Sequence, residues 1–486
     1  MKIEKEILII YDDREFTNKE IAELVGIRSY GSIFHRQDLL SEIFIKRLLD
    51  ISSILHLKHL EDLNRIDEFY KIYGDTSGVL IISSRAGIIG FDKLINFIKK
   101  IQYSEFSIVS CEEYPLIVYC SNKIRFNELR ENLISGLFSG DKIYFKNFET
   151  ITSLELVDLS NYDNFIQYFS SSIVPRHFNE IEFFDYSVKK TSSNKLKMRK
   201  EYQFSHLIPD VMKPWIATTF GYEETETNAS YLMHRYRVAN ASLQWVHGAF
   251  DANTFSEFIN QIFYFLSIRK KREISTLDSL KKAELLFLKK INERAEEFLK
   301  LDSGEKINQL AASINQVLNL NNQIKRFSKL FLSHSKSISV NYEVVGHGDP
   351  CLSNILYEKQ HKIMILIDPQ GAIDDSGLWT HPYYDLSKLS HSILGDYDHI
   401  NLGAYSLEFT KNSGVELKIK FSSDERLMKS LFEKKIKESN YDLATLRLGE
   451  ASLFLSMLPL HIDNPNKALA FMVRANEILN FVENYP

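Results

Sequence analysis

The chain has 486 residues, about three times a typical domain of roughly 150 residues, so more than one folding unit is expected. Apolar residues make up 44% and charged residues 25%, which supplies enough core-forming material to exclude wholesale disorder. Acidic side chains outnumber basic ones, 59 − 64 = −5, leaving no bulk positive field to hold nucleic acid or an anionic membrane by counterion release.

The opening MKIEKEILIIYDDREF breaks its apolar run with charge and lacks a small-residue cleavage pattern, so it reads as a first strand rather than a signal peptide. No window reaches the 18 to 20 apolar residues, roughly, that a spanning helix needs, so no membrane span is expected. The three cysteines, Cys111, Cys120 and Cys351, show neither CxxC nor Cys/His ligand spacing. A disulfide framework or structural zinc is therefore not expected, and reduced thiols point to a cytoplasmic protein.

Residues 1–150 alternate strand-like and helix-like text. ILIIYDD (7–13), GVLIISS (78–84), SIVSC (107–111) and PLIVYC (115–120) are rich in β-branched residues, whereas KLINFIKKI (93–101) and NELRENLISGLF (127–138) have helical spacing. An α/β domain is expected. Neither GxGxxG nor GxxxxGK[ST] occurs there; SSRAGIIGF (83–91) is the one glycine-bearing strand-to-turn stretch, and a structural or partner-binding role outweighs a nucleotide crevice.

A second unit is expected to begin near residue 150. Strand-like IEFFDYSVKKTS (181–192) runs into helical NKLKMRKEYQFSHLI (194–208), and residues from Ser275 to about Phe331 carry leucines and isoleucines at helical spacing. Short strands return around 342–372. RLGEASLFLSMLPL (447–460) and KALAFMVRANEILNFV (467–482) are apolar enough to be buried helices.

The chemistry concentrates in VVGHGDPCLSNILY (344–357) and KIMILIDPQG (362–371). Asp349 lies on a loop after one apolar strand, Asn354 opens the next, and Asp368 closes a third. Two strands joined by a short turn bring Asn354 and Asp368 to neighbouring ends with Asp349 facing them. That set suits phosphoryl transfer: a carboxylate and an amide carbonyl are oxygen ligands for Mg²⁺, and a further carboxylate orients the attacking hydroxyl and takes its proton. Asn354 and Asp368 are the candidate metal ligands and Asp349 the candidate catalytic base.

HGDPCLSNIL with IDPQG resembles the catalytic loop and metal-binding segment of the aminoglycoside phosphotransferase and choline kinase superfamily, small-molecule relatives of the protein kinases that share the H-x-D-x-x-x-x-N spacing. The resemblance covers about residues 160–486. It implies an α+β, bilobal protein-kinase-like fold, with 151–238 the small β lobe and 239–486 the helical lobe, and leaves the preceding N-terminal α/β domain, 1–150, of unknown role, a degenerate nucleotidyltransferase-like companion being one reading. It also implies ATP and Mg²⁺ as cofactors and a small-molecule alcohol or sugar as acceptor.

The same resemblance asks for a phosphate-holding strand lysine and an acidic partner on the next helix. Strand alternation favours Lys190, two residues after Val188, over its neighbour Lys189, and Glu201 is the partner. ASYLMHRYRV (229–238) reads as the strand entering the hinge, with backbone around Met233 and Arg235 meeting the base. Asp385, in WTHPYYDLSKLSHSIL (379–394), and His347 are implied loop braces, and Trp245 and His247 are weighed as packing residues ahead of substrate contacts. No glycine-bearing turn covers the phosphates; SSS (170–172) is the substitute considered. HGDPCxSNIL-type loops and LFLSMLPLH (453–461) resemble kinase-like proteins of capsule and surface-polysaccharide synthesis, so a sugar, polyol or choline-like alcohol is preferred as acceptor. A non-catalytic nucleotide-binding subunit of such an assembly is the alternative.

Overall fold

The computed structural model describes residues 5–12, 54–57, 60–83, 85–89, 91–110, 115–135, 145, 148–151, 154–159, 164, 179–246, 248–410, 414–419 and 425–485. Cys111, the serine run at 170–172 and His247 lie outside the described residues. The chain divides into two units, Met1–Ser172 and Ile173–Pro486.

In the first unit, apolar runs become strands β1 (Ile7–Asp12), β2 (Ile54–Leu57), β3 (Gly78–Ser83), β4 (Ala86–Ile89), β5 (Ser107–Val109), β6 (Ile117–Cys120), β7 (Phe148–Thr150) and β8 (Glu155–Asp158). Six of them form one mixed sheet in the order β2-β1-β3-β6-β5-β7. Leu8 and Ile10 face one hydrophobic layer, with Phe69 and Phe126 from helices Asn64–Tyr73 and Lys123–Ser135; Ile7 and Ile9 face the other, with Leu94 and Ile98 from helix Phe91–Ile101. Burial on both faces explains why β1 is apolar from Ile7 to Tyr11 instead of alternating. The glycine-bearing stretch 83–91 forms no phosphate cradle: Gly87 lies within β4, paired with Val157 of β8, and Arg85 bonds Asp158 beside it at 2.5 Å. That pairing draws residues up to Asp158 into the first unit, so the division falls at residue 172 and not near residue 150.

The second unit opens with a four-stranded antiparallel sheet, order β11-β12-β10-β9, built from β9 (Asn179–Phe183), β10 (Ser187–Ser192), β11 (Thr219–Glu224) and β12 (Ala229–His234). The continuous strand text 181–192 is therefore a hairpin that turns at Phe184, Asp185 and Tyr186. Helix Lys195–Leu207 follows β10; Asn194 caps it by accepting the Lys197 N–H, and Ile208 leaves helical geometry just before Pro209. Its buried positions Met198, Glu201, Phe204 and Ser205 recur at helical spacing and face inward.

Residues 235–239 continue from β12 without regular structure into helix Ala241–Val246. They are tied to the remainder of the unit where the Tyr357 N–H donates to Ala239 O (3.1 Å) and Gln244 Nε2 donates to Tyr357 O (2.6 Å). The rest is mainly helical around one hydrophobic core that runs from Phe204 to Val482. Short strands interrupt it: β13 (Lys271–Glu273), β14 (Tyr342–Val345) and β17 (Trp379–Thr380) form one small sheet, β15 (Ile355–Glu358) and β16 (Ile363–Leu366) a hairpin, and β18 (Tyr405–Thr410) and β19 (Gly414–Ile419) another. The helical text from Ser275 onward forms helices Thr276–Ala283, Lys290–Leu299, Asp302–Ile314 and Leu320–Ser333, with a π-helical segment at Glu284–Lys289. Helices Pro382–Ile393 and Leu443–Ser456 approach closely at Gly449, where a Cβ would lie 2.3 Å from Ser387 Oγ. No helix among the described residues is long and apolar enough to cross a membrane.

Glu450, next to that contact, is fully buried, bonded to Ser390 Oγ and, at 2.9 Å, to Arg447 Nη1. Burial pushes its carboxyl up to about 7, against the lowering effect of Arg447. The folded chain then keeps a proton that the unfolded chain releases near 4.5, so this group's stabilisation is complete at acid pH and is lost as pH rises through about 7. Urea unfolding of wild type and Glu450→Gln between pH 5 and 8 should show the wild type losing up to roughly 3 kcal/mol relative to the variant. Parallel pH curves would contradict this assignment.

Candidate functional site

Alternation along β10 decides between the adjacent lysines. Val188, Lys190 and Ser192 point inward while Lys189 points out, 3.8 Å from Glu223. Lys190, only 2% exposed, donates from Nζ to Glu201 Oε2 at 2.8 Å and to Asp368 Oδ1 at 2.9 Å. Tyr231, opposite Lys190 in the register of β12, donates its hydroxyl to the same Glu201 oxygen at 2.8 Å. Burial alone would lower the Lys190 pKa, but the two carboxylates outweigh it and the ammonium is held more basic than usual. Asp368 responds conversely: desolvation would raise its carboxyl, yet the Lys190 charge and hydrogen bond keep it below the ordinary range.

The β15–β16 hairpin brings the other oxygens together. Ile355 pairs with Leu366, and the Ile367 N–H donates to Asn354 O at 2.9 Å, which sets Asn354 beside the chain entering Asp368. Asn354 Nδ2 donates to Asp349 O at 2.9 Å. Because a carbonyl can only accept, the amide nitrogen must face it, which leaves Asn354 Oδ1 for another ligand. Asp368 takes left-handed backbone (φ 53), a strained choice for a residue with a Cβ and one that clusters at functional positions. Gly371 (φ 78) follows where the chain presses against the helix of Glu201: a Cβ there would lie 2.4 Å from the Lys200 carbonyl carbon, and the Ala372 N–H donates to Lys200 O at 3.1 Å. The Asp368 loop and the Glu201 helix are thus fixed to each other.

Asp385 braces the loop before Asp349. Its carboxylate accepts the N–H groups of His347 (2.9 Å) and Gly348 (2.8 Å) and the Arg269 guanidinium (2.9 Å). His347 is buried, edge-on to Phe204, and its Nδ1 accepts the Asp349 N–H at 3.3 Å. Desolvation lowers its pKa more than Asp385, Asp349 and Asp368 raise it, so the ring is neutral near pH 7 and serves as a brace. Asp349 Oδ1 meets Lys388 Nζ at 3.0 Å. Asp349 and Asp368 are 35% and 37% exposed, so the carboxylates open to solvent while Lys190 and Glu201 close the back.

Lys190, Glu201, Asp349, Asn354 and Asp368 are therefore brought together. Met233 and Arg235 stand differently. Met233 lies in β12 between Val188 and Thr219, and the Arg235 N–H already donates to Tyr186 O at 3.0 Å, so that donor is taken and cannot serve a base. Trp245 is buried against Phe255, a packing residue. Three residues that sequence reasoning passed over belong to the site: Tyr231 on Glu201, Arg269 on Asp385 and Lys388 on Asp349. Lys388 alone carried a readable signal, three residues after Asp385 and so on the same helix face.

Another acidic group, Asp396 with His399 and Glu425, is buried, but Asp396 is already paired with Lys429 and with Arg474 at 3.0 Å. Asn354 Oδ1 and the second oxygen of Asp368 fit a hard, oxygen-preferring divalent cation such as Mg²⁺.

No protein-family model and no curated protein matches the chain. Among solved structures it is similar to a thermostable mutant of aminoglycoside phosphotransferase APH(4)-Ia in ternary complex with AMP-PNP and hygromycin B (11% identity, 64% of this chain and 95% of that one, TM-score 0.38). It is also similar to spectinomycin phosphotransferase APH(9)-Ia in complex with ADP and spectinomycin (12%, 63% and 90%, 0.36). A further likeness is to APH(3'')-Id from Streptomyces rimosus in complex with ADP and streptomycin (13%, 57% and 86%, 0.33). At such identities and TM-scores these likenesses assign no family, and the functional reading stands on the chain's own geometry.

Losing Asp385 strands the Arg269 charge and two backbone N–H groups. Asp385→Ala should destabilise the chain by about 3–5 kcal/mol in chemical unfolding. A change below about 1 kcal/mol, the scale of an exposed pair, would contradict the bracing role.

Proposed function

We propose that the second unit is a bilobal, protein-kinase-like phosphotransferase, with the sheet as small lobe and the helices as large lobe, moving the γ-phosphoryl of ATP to a hydroxyl of a small molecule. The observation that carries this reading is Lys190 bonded at once to Glu201 and Asp368, with Asn354 and Asp349 at the same opening. Lys190, its rotamer fixed by Glu201 and Tyr231, binds the nucleotide phosphates, exchanging Asp368 for phosphate oxygens. Asn354 Oδ1 and Asp368 hold Mg²⁺, which when bound neutralises phosphate charge. Asp349 accepts the hydrogen bond of the acceptor hydroxyl, orients it, and takes its proton as the oxygen bonds to phosphorus and ADP leaves.

A sugar, polyol or choline-like alcohol is the proposed acceptor, in capsule or cell-surface polysaccharide synthesis, a choice supported by the loop resemblance. A cytoplasmic location accords with ATP as donor and with Cys120 and Cys351 as buried free thiols. One observation weighs against nucleotide affinity and turnover alike: the β9–β10 turn, Phe184, Asp185 and Tyr186, has no glycine to bring backbone N–H groups close to phosphates. A non-catalytic nucleotide-binding subunit is the second reading.

Calorimetry and turnover assays separate the two readings. Asp368→Ala should abolish magnesium-dependent nucleotide binding, and Asp349→Asn should cut ATP-dependent phosphorylation across a sugar and alcohol panel by about 10²–10⁴ while sparing nucleotide affinity. Undiminished turnover in Asp349→Asn would remove the mechanism; tight binding by wild type with no turnover on any acceptor would favour the non-catalytic reading.

A further inference from the structure

The helix that carries Glu201 begins against the usual rule. Negative side chains favour the first turn of a helix, where unbonded N–H groups leave a positive end, yet Lys195–Leu207 has no acidic residue there and carries Lys195 and Lys197 instead. A local conflict of this kind marks a position where something else compensates. For Lys195 the partner is Glu224 at 3.2 Å, which also takes Arg199 at 2.8 Å. Lys197 meets the buried ion group.

Lys197 lies one turn before Glu201 on the same helix face. The oxygens of Glu201 are divided among three donors: Oε2 accepts from Lys190 and Tyr231, each at 2.8 Å, and Oε1 has Lys197 Nζ at 3.5 Å. That last distance is an ion pair at the outer limit of hydrogen bonding, and Lys197 is 41% exposed where Lys190 is 2%. The outer ammonium is loosely held. Its charge also reaches the proposed metal ligand: desolvation would raise the Asp368 carboxyl, Lys190 lowers it most, and Lys197 lowers it next. The helix is held to the Asp368 loop, because Gly371 packs on Lys200 and the Ala372 N–H donates to Lys200 O at 3.1 Å.

We propose that Lys197 is a second phosphate-binding cation, set at the solvent edge of the ion group, that makes the site select a nucleoside triphosphate over a diphosphate. The proposal rests on the phosphotransferase reading. In the ligand-free group the charges of Lys190 and Lys197 balance those of Glu201 and Asp368, and Mg²⁺ offsets only part of the charge that a nucleotide brings. The terminal phosphate adds negative charge that MgADP lacks. An exposed ammonium with a long contact to Glu201 can turn to it, while Lys190, with short bonds to Glu201 and Asp368, serves both nucleotides alike.

The test is calorimetric titration of the full chain with MgADP and with AMP-PNP plus Mg²⁺, for wild type, Lys197→Met, Lys197→Gln and, as a control from the same helical turn, Lys195→Met. Both Lys197 variants should weaken AMP-PNP binding by about 10-fold, the scale of a hydrogen bond to a charged group, and leave the Kd for MgADP within about threefold of wild type. Lys195→Met should match wild type for both nucleotides. If Lys197→Met unfolds, Lys197→Gln decides by the same ratio. An equal loss for the two nucleotides overturns the proposal, since it makes Lys197 a clamp on Glu201 and not a phosphate contact; unchanged AMP-PNP binding overturns it too, and either result leaves the phosphotransferase reading intact. Failure of the wild type to bind either nucleotide overturns both.

Discussion

A single ammonium held between two carboxylates organises the second unit. Lys190 lies almost out of solvent, with Glu201 behind it and Asp368 in front. A lone buried charge of this kind costs several kcal/mol, and the cost is offset only where opposite charge and hydrogen bonds surround it. Three separate stretches therefore have to converge for the ion group to exist: β10 supplies the lysine, the following helix the glutamate, and the segment after β16 the aspartate. The group is asymmetric, since Glu201 is sealed by Tyr231 while Asp368 faces outward. The outward member can exchange its partner for a ligand without exposing the lysine to an uncompensated environment. Lys190 and Asp368 satisfy each other's charge.

The second constraint is one helix face acting on one loop. Asp385 fixes the backbone at His347 and Gly348, Lys388 fixes the side chain of Asp349, and neutral His347 supports the Asp349 N–H from below. Backbone and side chain of the proposed base are therefore set by different groups. Asn354 closes the arrangement by donating to the Asp349 carbonyl, which aims its own oxygen toward Asp368. Local hydrogen bonds turn a seven-residue spacing into a convergent set of oxygen ligands.

Much of this was legible because it follows local periodicity. Alternation along β10 separated Lys190 from Lys189, the family resemblance asked for an acidic partner on the following helix and so pointed to Glu201, and the run from His347 to Asn354 with a strand-ending Asp368 marked the loop and hairpin. What escaped depends on contacts distant in sequence. Arg269 meets Asp385 across 116 residues, and β4 meets β8 across a long intervening segment, which is why the unit boundary at residue 172 was not readable near 150. Asp185 and Ser187 are the turn formers in IEFFDYSVKKTS, but with apolar and β-branched residues on both sides and no glycine, proline or asparagine the hairpin at Phe184–Tyr186 read as one strand. Whether Arg235 had a free N–H depended on Tyr186, a partner that hairpin alone supplies.

The most direct measurement is a crystal structure of the full chain with Mg²⁺ and a non-hydrolysable ATP analogue. The account predicts the metal bound by Asn354 Oδ1 and an Asp368 oxygen, with Lys190 still on Glu201 but moved from Asp368 to phosphate oxygens. Nucleotide seated away from these residues, or Lys190 still locked on Asp368 beside bound nucleotide, would contradict it.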